Sequence, residues 1–307
     1  MEYGSYIINS ALRKVGSEMD HQNYPALYIA ASEASKIAQD NVLLFYKLNS
    51  FLLIVAAALS LIGVQNACLA IISALVFIAS LLVYIYGRSQ NFQGRWYKAR
   101  ALAESIKTAT WRLVMSAEPF NSPERIQNLE DFSKLLDELL VENKGIGAQL
   151  AGNPAELPQI TPKIIELLDK NYEEKREFYL EKRIKDQRSW YAMKSGQNYN
   201  SSKNYLIVLC VIYGIAIILV LVRIAIPTMT FVPVDVLAVV ASSIIGWTQI
   251  KRFDELTSSY SLTAYEIGVI EGRFLNVKDS EHLSRFVKDA ENAFSREHTQ
   301  WAARRDS

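Results

Sequence analysis

The segment LNSFLLIVAAALSLIGVQNACLAIISALVFIASLLVYIYG, residues 48–87, contains no charged side chain. A helix needs about 20 residues to cross the hydrocarbon core of a bilayer, so this segment provides two such lengths. Gly63 and the polar pair Gln65-Asn66 interrupt it near its middle, where they favour a turn. The segment therefore predicts a transmembrane helical hairpin with spans at about 48–64 and 67–87.

A second apolar block begins with NYLIVLCVIYGIAIILVLVRIAI, residues 204–226. It continues as VDVLAVVASSIIGWTQI after a short turn that contains Pro227 and Pro233. Proline favours a turn at this point because it cannot extend the preceding helix. The block predicts a second hairpin, with spans at about 205–226 and 232–250.

These two hairpins decide the expected fold class. The alternative is a soluble protein in which the apolar segments are buried helices. Such helices usually keep a polar face, and residues 206–222 have none. The sequence therefore predicts an all-α integral membrane protein with two transmembrane helical hairpins, four spans in all, and long cytoplasmic helical extensions.

The basic residues predict the orientation. Of the 33 lysines and arginines, only Arg223 lies in a hairpin turn. The positive-inside rule then places both termini and the central region in the cytoplasm. The first 40 residues are polar, so no cleavable signal peptide is expected. Four basic residues mark the cytoplasmic borders of the spans, namely Lys47, Arg88, Lys203 and Lys251.

Several classes of function are disfavoured. A net charge of +1 gives no reason to expect double-stranded nucleic acid as a partner. Cys68 and Cys210 lie inside spans, which does not indicate a disulfide framework. His21, His282 and His298 lack the spacing of metal ligands. There is no Gly-rich phosphate loop and no G-x-S-x-G motif, so we expect neither an enzyme nor a cofactor.

Changes of composition divide the chain into four regions. Residues 1–118 form a first two-span unit, and residues 119–161 form a linker that contains Pro, Gly and a short helix. Residues 162–275 form a second two-span unit. Residues 276–307 read as an amphipathic cytoplasmic helix.

The two units share a weak internal repeat. Each reads as a long polar helix, a hairpin and another long polar helix. The exits from the hairpins are also alike, with RALAESI in the first unit and SLTAYEI in the second. Duplication of a two-span unit is the expected origin.

The helix predicted after the first hairpin carries two stripes. Arg100, Glu104, Lys107 and Trp111 fall on one stripe at helical spacing. This candidate gating or assembly stripe is either a solvated face or a contact surface with another subunit or an anionic ligand. The second stripe is largely apolar and predicts packing against a neighbouring helix, through Trp96, Ala99, Ala103, Ile106, Thr110 and Leu113.

Four strings of the sequence resemble one protein family. They are WYKARALAESIKTATWRLVMSAEPF, YLEKRIKDQRSWYAMKSGQN, SSIIGWTQIKRFDELTSSYSLTAYEI and ENAFSREHTQWAARR. They resemble SLATT proteins, two-span effectors associated with second-messenger nucleotidyltransferases and SLOG nucleotide-sensing domains. The resemblance covers roughly residues 20–120 and 170–307, as two units in tandem.

The resemblance implies an effector of a bacterial antiphage system in the inner membrane. It implies an oligomeric pore or ion channel, or another perturbation of the membrane, that responds to a nucleotide second messenger or to an upstream nucleotidyltransferase or sensor protein. Because four spans leave little room for an aqueous path, a pore requires a homo-oligomer. The alternative is a non-conducting membrane scaffold or regulator that recruits cytoplasmic partners.

Candidate residues follow from these hypotheses. Arg223 and Asp235 flank the second hairpin turn, where they pair with each other or form a charged ring in an oligomer. Small residues suit helix packing or the lining of a pore, namely Ser60, Ser73, Ser80, Gly214, Ser242, Ser243 and Gly246. Basic and aromatic residues suit nucleotide or partner contacts, or equally a border belt, namely Arg95, Trp96, Lys98, Arg188, Trp190, Arg296, Trp301, Arg304 and Arg305.

Overall fold

A computed structural model describes residues 19–62, 66–150, 156–229 and 231–303, and no strand occurs in these ranges. The α-helices of seven residues or more are α1 (Ala26–Ile62), α2 (Ala67–Ser89), α3 (Phe92–Val114), α4 (Arg125–Glu142), α5 (Pro162–Leu168), α6 (Tyr172–Tyr179), α7 (Asp186–Ala225), α8 (Val234–Lys251), α9 (Phe253–Arg273) and α10 (Ser280–Ala303). A π-helical segment, Leu180–Lys185, joins α6 to α7. The predicted all-α class is confirmed.

Four of these helices, α1, α2, α7 and α8, are long and apolar enough to cross a membrane. Their outward surfaces suit lipid, since large apolar side chains such as Leu82 on α2 and Ile218 on α7 are exposed. Asn66 begins α2, and its side-chain oxygen accepts hydrogen bonds from the backbone N–H groups of Cys68 and Leu69. The chain is therefore a multi-pass membrane protein.

The described residues divide into two compact units. The membrane unit comprises residues 37–94 and 190–263. The bundle unit comprises the residues up to Lys36, residues 95–189, and those from Ala264 onward. Each unit therefore combines segments from both halves of the chain.

The second span does not continue unbroken into the next helix. α2 ends at Ser89 and α3 begins at Phe92, because Asn91 adopts a left-handed conformation with a φ of 47°. Asparagine tolerates this region better than most residues. The same break follows the fourth span, where Arg252 has a φ of 52° between α8 and α9. The two halves therefore share an unusual backbone feature.

An aromatic pair recurs at each break. Phe92, the first residue of α3, stacks on Phe45 with 5.4 Å between ring centroids. Phe253, the first residue of α9, stacks on Tyr205 at 5.5 Å. Offset stacking of this kind stabilises a contact beyond its buried area. The internal repeat noticed in the sequence thus has a counterpart in three dimensions.

Corresponding residues of the similar strings RALAESI and SLTAYEI are buried. Leu102 and Ile106 of α3 are buried, and so are Thr263 and Ile267 at the corresponding positions of α9. Because the residues of each pair are four apart, each pair lies on one face of its helix. The two helices therefore use the same face for packing.

The bundle unit includes part of the segment predicted as a linker. α4 begins at Arg125, and its Phe132 and Leu136 are buried. Ile126 and Leu140, two further apolar residues of this helix, are exposed. α4 packs through a narrower face than its composition suggested. α10 contributes a regular buried stripe through Leu283, Val287, Ala290 and Phe294.

A buried ion pair lies in the core of the bundle unit. The guanidinium of Arg183 donates from Nε to Oε1 of Glu291 at 2.8 Å and from Nη2 to Oε2 at 2.6 Å. The hydroxyl of Tyr179 also donates to Oε1, at 2.9 Å. Arg183 is 2% exposed and Glu291 is fully buried. Burial by itself lowers the pKa of Arg183, but the charge and hydrogen bonds of Glu291 outweigh burial and raise it.

Aromatic rings enclose this pair. The guanidinium carbon of Arg183 lies 5.1 Å from the ring centroid of Phe294 and 5.7 Å from that of Trp111. The indole Nε1 of Trp111 donates to the hydroxyl of Tyr24 at 2.8 Å. Cation–π contacts offset part of the cost of removing a guanidinium from water. Arg183 therefore connects α10 to α3 and to the start of α1.

The buried pair leads to a stability prediction. Glu291→Gln leaves the guanidinium of Arg183 buried without an opposite charge, and we expect a loss of about 3–5 kcal/mol of unfolding free energy. Glu281→Gln is the matched control on the same helix, because Glu281 is 81% exposed and pairs with Arg285 at the surface. We expect the control to cost less than about 0.5 kcal/mol. Thermal unfolding of both variants in detergent measures the difference. Equal losses would contradict the role given to the pair.

Candidate functional site

The two hairpins meet where α1 crosses α8 in the membrane unit. A Cβ atom added to Gly246 would overlap the hydroxyl of Tyr46 and lie 3.1 Å from its Cζ. That hydroxyl donates to the backbone oxygen of Ser243 at 2.7 Å. Glycine is therefore required at 246 for the tyrosine ring to approach the α8 backbone.

Aromatic residues connect all four spans near this crossing. Tyr46 of α1 contacts Trp247 of α8, with 6.1 Å between ring centroids. The indole Nε1 of Trp247 donates to the hydroxyl of Tyr205 on α7 at 3.0 Å. Phe45 of α1 contacts Tyr86 of α2 at 5.5 Å. Tyr and Trp are enriched where spans meet the headgroup region, so these residues form an aromatic belt.

Two polar contacts hold α1 against α2. The hydroxyl of Ser80 donates to Oδ1 of Asn49 at 2.8 Å, and the hydroxyl of Ser73 donates to the carbonyl of Ala56 at 3.0 Å. Both serines are buried, which assigns them to helix packing. Sequence reasoning missed Asn49, although an asparagine at the start of an apolar span is itself a signal.

A cleft of about 450 Å³ lies beside the α1–α8 crossing. We call it the membrane cleft. Its polar lining comes from Tyr46, Asn49, Ser50, Ser242 and Ser243. The rest of the lining is apolar, including Leu53, Phe77 and Val239. Hydroxyl and amide groups can form hydrogen bonds with water or coordinate an ion. The cleft is therefore the strongest candidate for a functional site in the membrane unit.

The remaining small residues of the spans differ in their surroundings. Ser242 is exposed toward the membrane cleft, whereas Ser60 is exposed on α1 and does not line it. The hydroxyl of Ser243 donates to the carbonyl of Val239 at 2.8 Å. A Cβ atom added to Gly214 would meet no other atom within 4 Å. Among the described residues, Gly214 therefore has open space at its Cβ position, unlike Gly246.

The predicted stripe on α3 is only partly a surface. Arg100, Glu104 and Lys107 are half-buried, and Nζ of Lys107 lies 3.9 Å from Oε2 of Glu104. Burial lowers the pKa of Lys107, while the charge of Glu104 opposes that change. Trp111 was expected on the same stripe, but it is 2% exposed. It belongs to the core around Arg183. Trp111 lies one helical turn beyond Lys107, where its ring contacts Arg183 and Tyr179.

The candidate nucleotide or partner contacts whose side chains are described lie on α3 and α7. Arg188 pairs with Glu271 at 2.8 Å, and Trp190 packs with Tyr191 and Tyr260. On α3, Arg95 and Trp96 are half-buried and Lys98 is exposed. Arg296 and Trp301 lie on α10 at positions whose side chains are not described, and Arg304 and Arg305 lie outside the described residues.

The charges at the second hairpin turn remain apart. Arg223 and Asp235 are both exposed, and no ion pair joins them in the described part of the chain. Of the two arrangements expected from the sequence, pairing within one chain is therefore absent. In the same described ranges, no group of His, Cys, Asp and Glu is arranged to hold a metal ion.

Two family models match the chain. The first, the SMODS and SLOG-associating 2TM effector domain 3, covers residues 25–176. The second, the SMODS and SLOG-associating 2TM effector domain 1, covers residues 179–301. The first match extends through the segment predicted as a linker, and the two matches meet just before the π-helical segment. No curated protein and no solved structure matches the chain.

The α1–α8 crossing leads to a second prediction. Gly246→Leu forces a side chain into the ring of Tyr46, so we expect it to cost about 1–3 kcal/mol and to lower the thermal stability in detergent. Gly214→Leu is the matched control, because the added side chain meets open space. We expect it to leave the stability of the single chain unchanged. Fluorescence-detected size-exclusion chromatography after heating measures both variants, and equal behaviour would refute the packing role of Gly246.

Proposed function

This chain belongs to the SLATT family and carries two of its two-transmembrane effector domains in tandem, and we propose that it forms an oligomeric pore or ion channel in a bacterial conflict system. An upstream sensor protein or a nucleotide second messenger triggers it in this proposal. The chain lies in the inner membrane with both termini in the cytoplasm, as the distribution of basic residues favours.

The membrane cleft is the observation that carries the proposal. Asn49, Ser50 and Ser242 present polar groups at the level of the spans, where lipid contact alone would favour apolar side chains. In an oligomer these groups provide the wall of a hydrated path.

Oligomerisation is the second requirement of the proposal. The polar groups of one chain lie on an open cleft and do not enclose a channel by themselves. The outward faces of α2 and α7 are apolar, so they suit lipid. Several subunits that turn their clefts toward a common axis would enclose a path.

Coupling to a trigger is supported by the continuity of α7. This helix runs without interruption from Asp186, shortly after Arg183, to Ala225 in the third span. A change at the Arg183–Glu291 pair therefore acts on the helix that enters the membrane. π-helical segments such as Leu180–Lys185 often occur at functional positions in helices.

A non-conducting scaffold is the alternative function. The apolar share of the cleft lining, which includes Leu53, Ala57, Phe77, Ala238 and Val239, favours helix packing over conduction. Ion flux from reconstituted vesicles distinguishes the two functions. A scaffold gives no flux under any trigger, whereas its partners would still bind.

The pore proposal predicts an effect at Ser242. Ser242→Leu replaces an exposed hydroxyl of the membrane cleft by a bulky apolar group, so we expect ion flux to fall by about tenfold. Ser60→Leu makes the same change at an exposed position outside the cleft, and we expect flux close to that of the wild type. Vesicle flux and oligomer mass from light scattering are measured together. A monomeric mass across mild detergents, or equal flux from both variants, would refute the pore.

The half-buried stripe on α3 predicts an effect on gating. Glu104→Gln removes the carboxylate beside Lys107. We expect it to lower the free energy of unfolding by about 1–2 kcal/mol, between the values for exposed and buried ion pairs. Lys98→Gln is the control on the same helix, at an exposed position, and we expect a cost below about 0.5 kcal/mol. Flux and oligomer mass should change only for Glu104→Gln. Equal and negligible effects would reduce the stripe to a surface.

A further inference from the structure

Two lysines converge on one indole ring in the membrane unit. Nζ of Lys47, on α1, lies 5.2 Å from the ring centroid of Trp247. Nζ of Lys251, the last residue of α8, lies at the same distance of 5.2 Å. The two ammonium groups are therefore separated by no more than twice that distance. At this upper limit, salt screens the two like charges only in part, because the Debye length is about 8 Å at physiological ionic strength, so they repel each other.

No carboxylate forms an ion pair with either lysine in the described residues, although Asp40 on α1 attracts Lys251 from beyond ion-pair distance. Other basic residues near the ends of the membrane unit do have partners, as Arg252 does with Glu255. The face of Trp247 attracts both ammonium groups but carries no net charge. Two ammonium groups beside a single carboxylate that pairs with neither leave a net positive charge, which an anion would neutralise.

The position of the lysines identifies the kind of anion. Lys47 directly precedes the uncharged run that begins at residue 48, and Lys251 ends the fourth membrane helix. Trp247 belongs to the aromatic belt, which suits the headgroup region. A ligand at this level meets phosphate groups of lipids at high local concentration.

We propose that Lys47, Lys251 and Trp247 form a binding site for the phosphate of an anionic phospholipid headgroup. The two ammonium groups donate hydrogen bonds to the phosphate oxygens. The Nε1 group of Trp247 already donates to Tyr205, which leaves the face of the ring to contact the lysines. The ring face orients the lysine side chains toward the phosphate. The site does not depend on conduction, so it stands or falls separately from the proposed pore.

The site has a structural consequence. Lys47 is on α1 and Lys251 is on α8, so a bound headgroup bridges the two hairpins close to the Tyr46–Gly246 crossing. Binding to the folded state alone stabilises that state by mass action. An anionic lipid should therefore raise the unfolding temperature of the full-length protein.

Thermal unfolding in nanodiscs tests the proposal. The full chain is placed in phosphatidylcholine alone or in phosphatidylcholine with phosphatidylglycerol. We expect phosphatidylglycerol to raise the Tm of the wild type by about 3 °C or more. The double variant Lys47→Gln, Lys251→Gln should lose most of this rise. Lys203→Gln should keep it, because Lys203 is another exposed lysine near the membrane that makes no contact with Trp247.

The outcomes separate the possible sources of the effect. An equal loss in the double variant and in Lys203→Gln would mean a general surface charge effect and would overturn the site. Stabilisation by inorganic phosphate in phosphatidylcholine alone would overturn the assignment to a lipid. If the double variant is not recovered, Lys47→Gln alone and native mass spectrometry of retained lipids make the same comparison. Equal retention of phosphatidylglycerol and phosphatidylcholine by the wild type would also overturn it.

Discussion

The close approach of α1 and α8 at Gly246 is the constraint on which the membrane unit depends. Lipid tails are as apolar as the spans, so burial of apolar surface does not hold two hairpins together in a bilayer. Close backbone approach and hydrogen bonds have to do so. The missing side chain at 246 admits the ring of Tyr46, and its hydroxyl reaches the carbonyl of Ser243. The membrane cleft and the convergence of the two lysines on Trp247 lie at this crossing, so both follow from it.

The bundle unit is held by the opposite means. Its core consists largely of apolar side chains, but it also contains the buried charges of Arg183 and Glu291. Such a pair contributes little net stability over an apolar pair and is costly to break. It favours one arrangement of the helices, because two hydrogen bonds of Arg183 and one of Tyr179 have to meet the same carboxylate. Trp111 from the first SLATT domain packs on Arg183 from the second, so the pair also joins the two domains.

The two domains share local backbone and aromatic features, but their hairpins contribute different residues to the contact between them. Both domains break the helix after their second span with a left-handed residue, Asn91 or Arg252, and both stack an aromatic residue at that break. The polar contact between Asn49 and Ser80 belongs to the first hairpin. The second hairpin contributes Gly246 and Ser243, which receive Tyr46. The two halves are therefore similar in fold and complementary at their contact.

The sequence alone determined the features that depend on neighbouring residues. The four membrane helices followed from uninterrupted apolar length, and the family followed from strings with a fixed order of Trp, Tyr, Arg and Glu. The tertiary structure alone decided which residues meet across long separations. It buried Trp111, left open space at the Cβ position of Gly214, placed Tyr46 over Gly246 and paired Arg183 with Glu291. Helical periodicity specifies a face of one helix, whereas the partner of that face depends on how distant helices pack, and no local pattern encodes that.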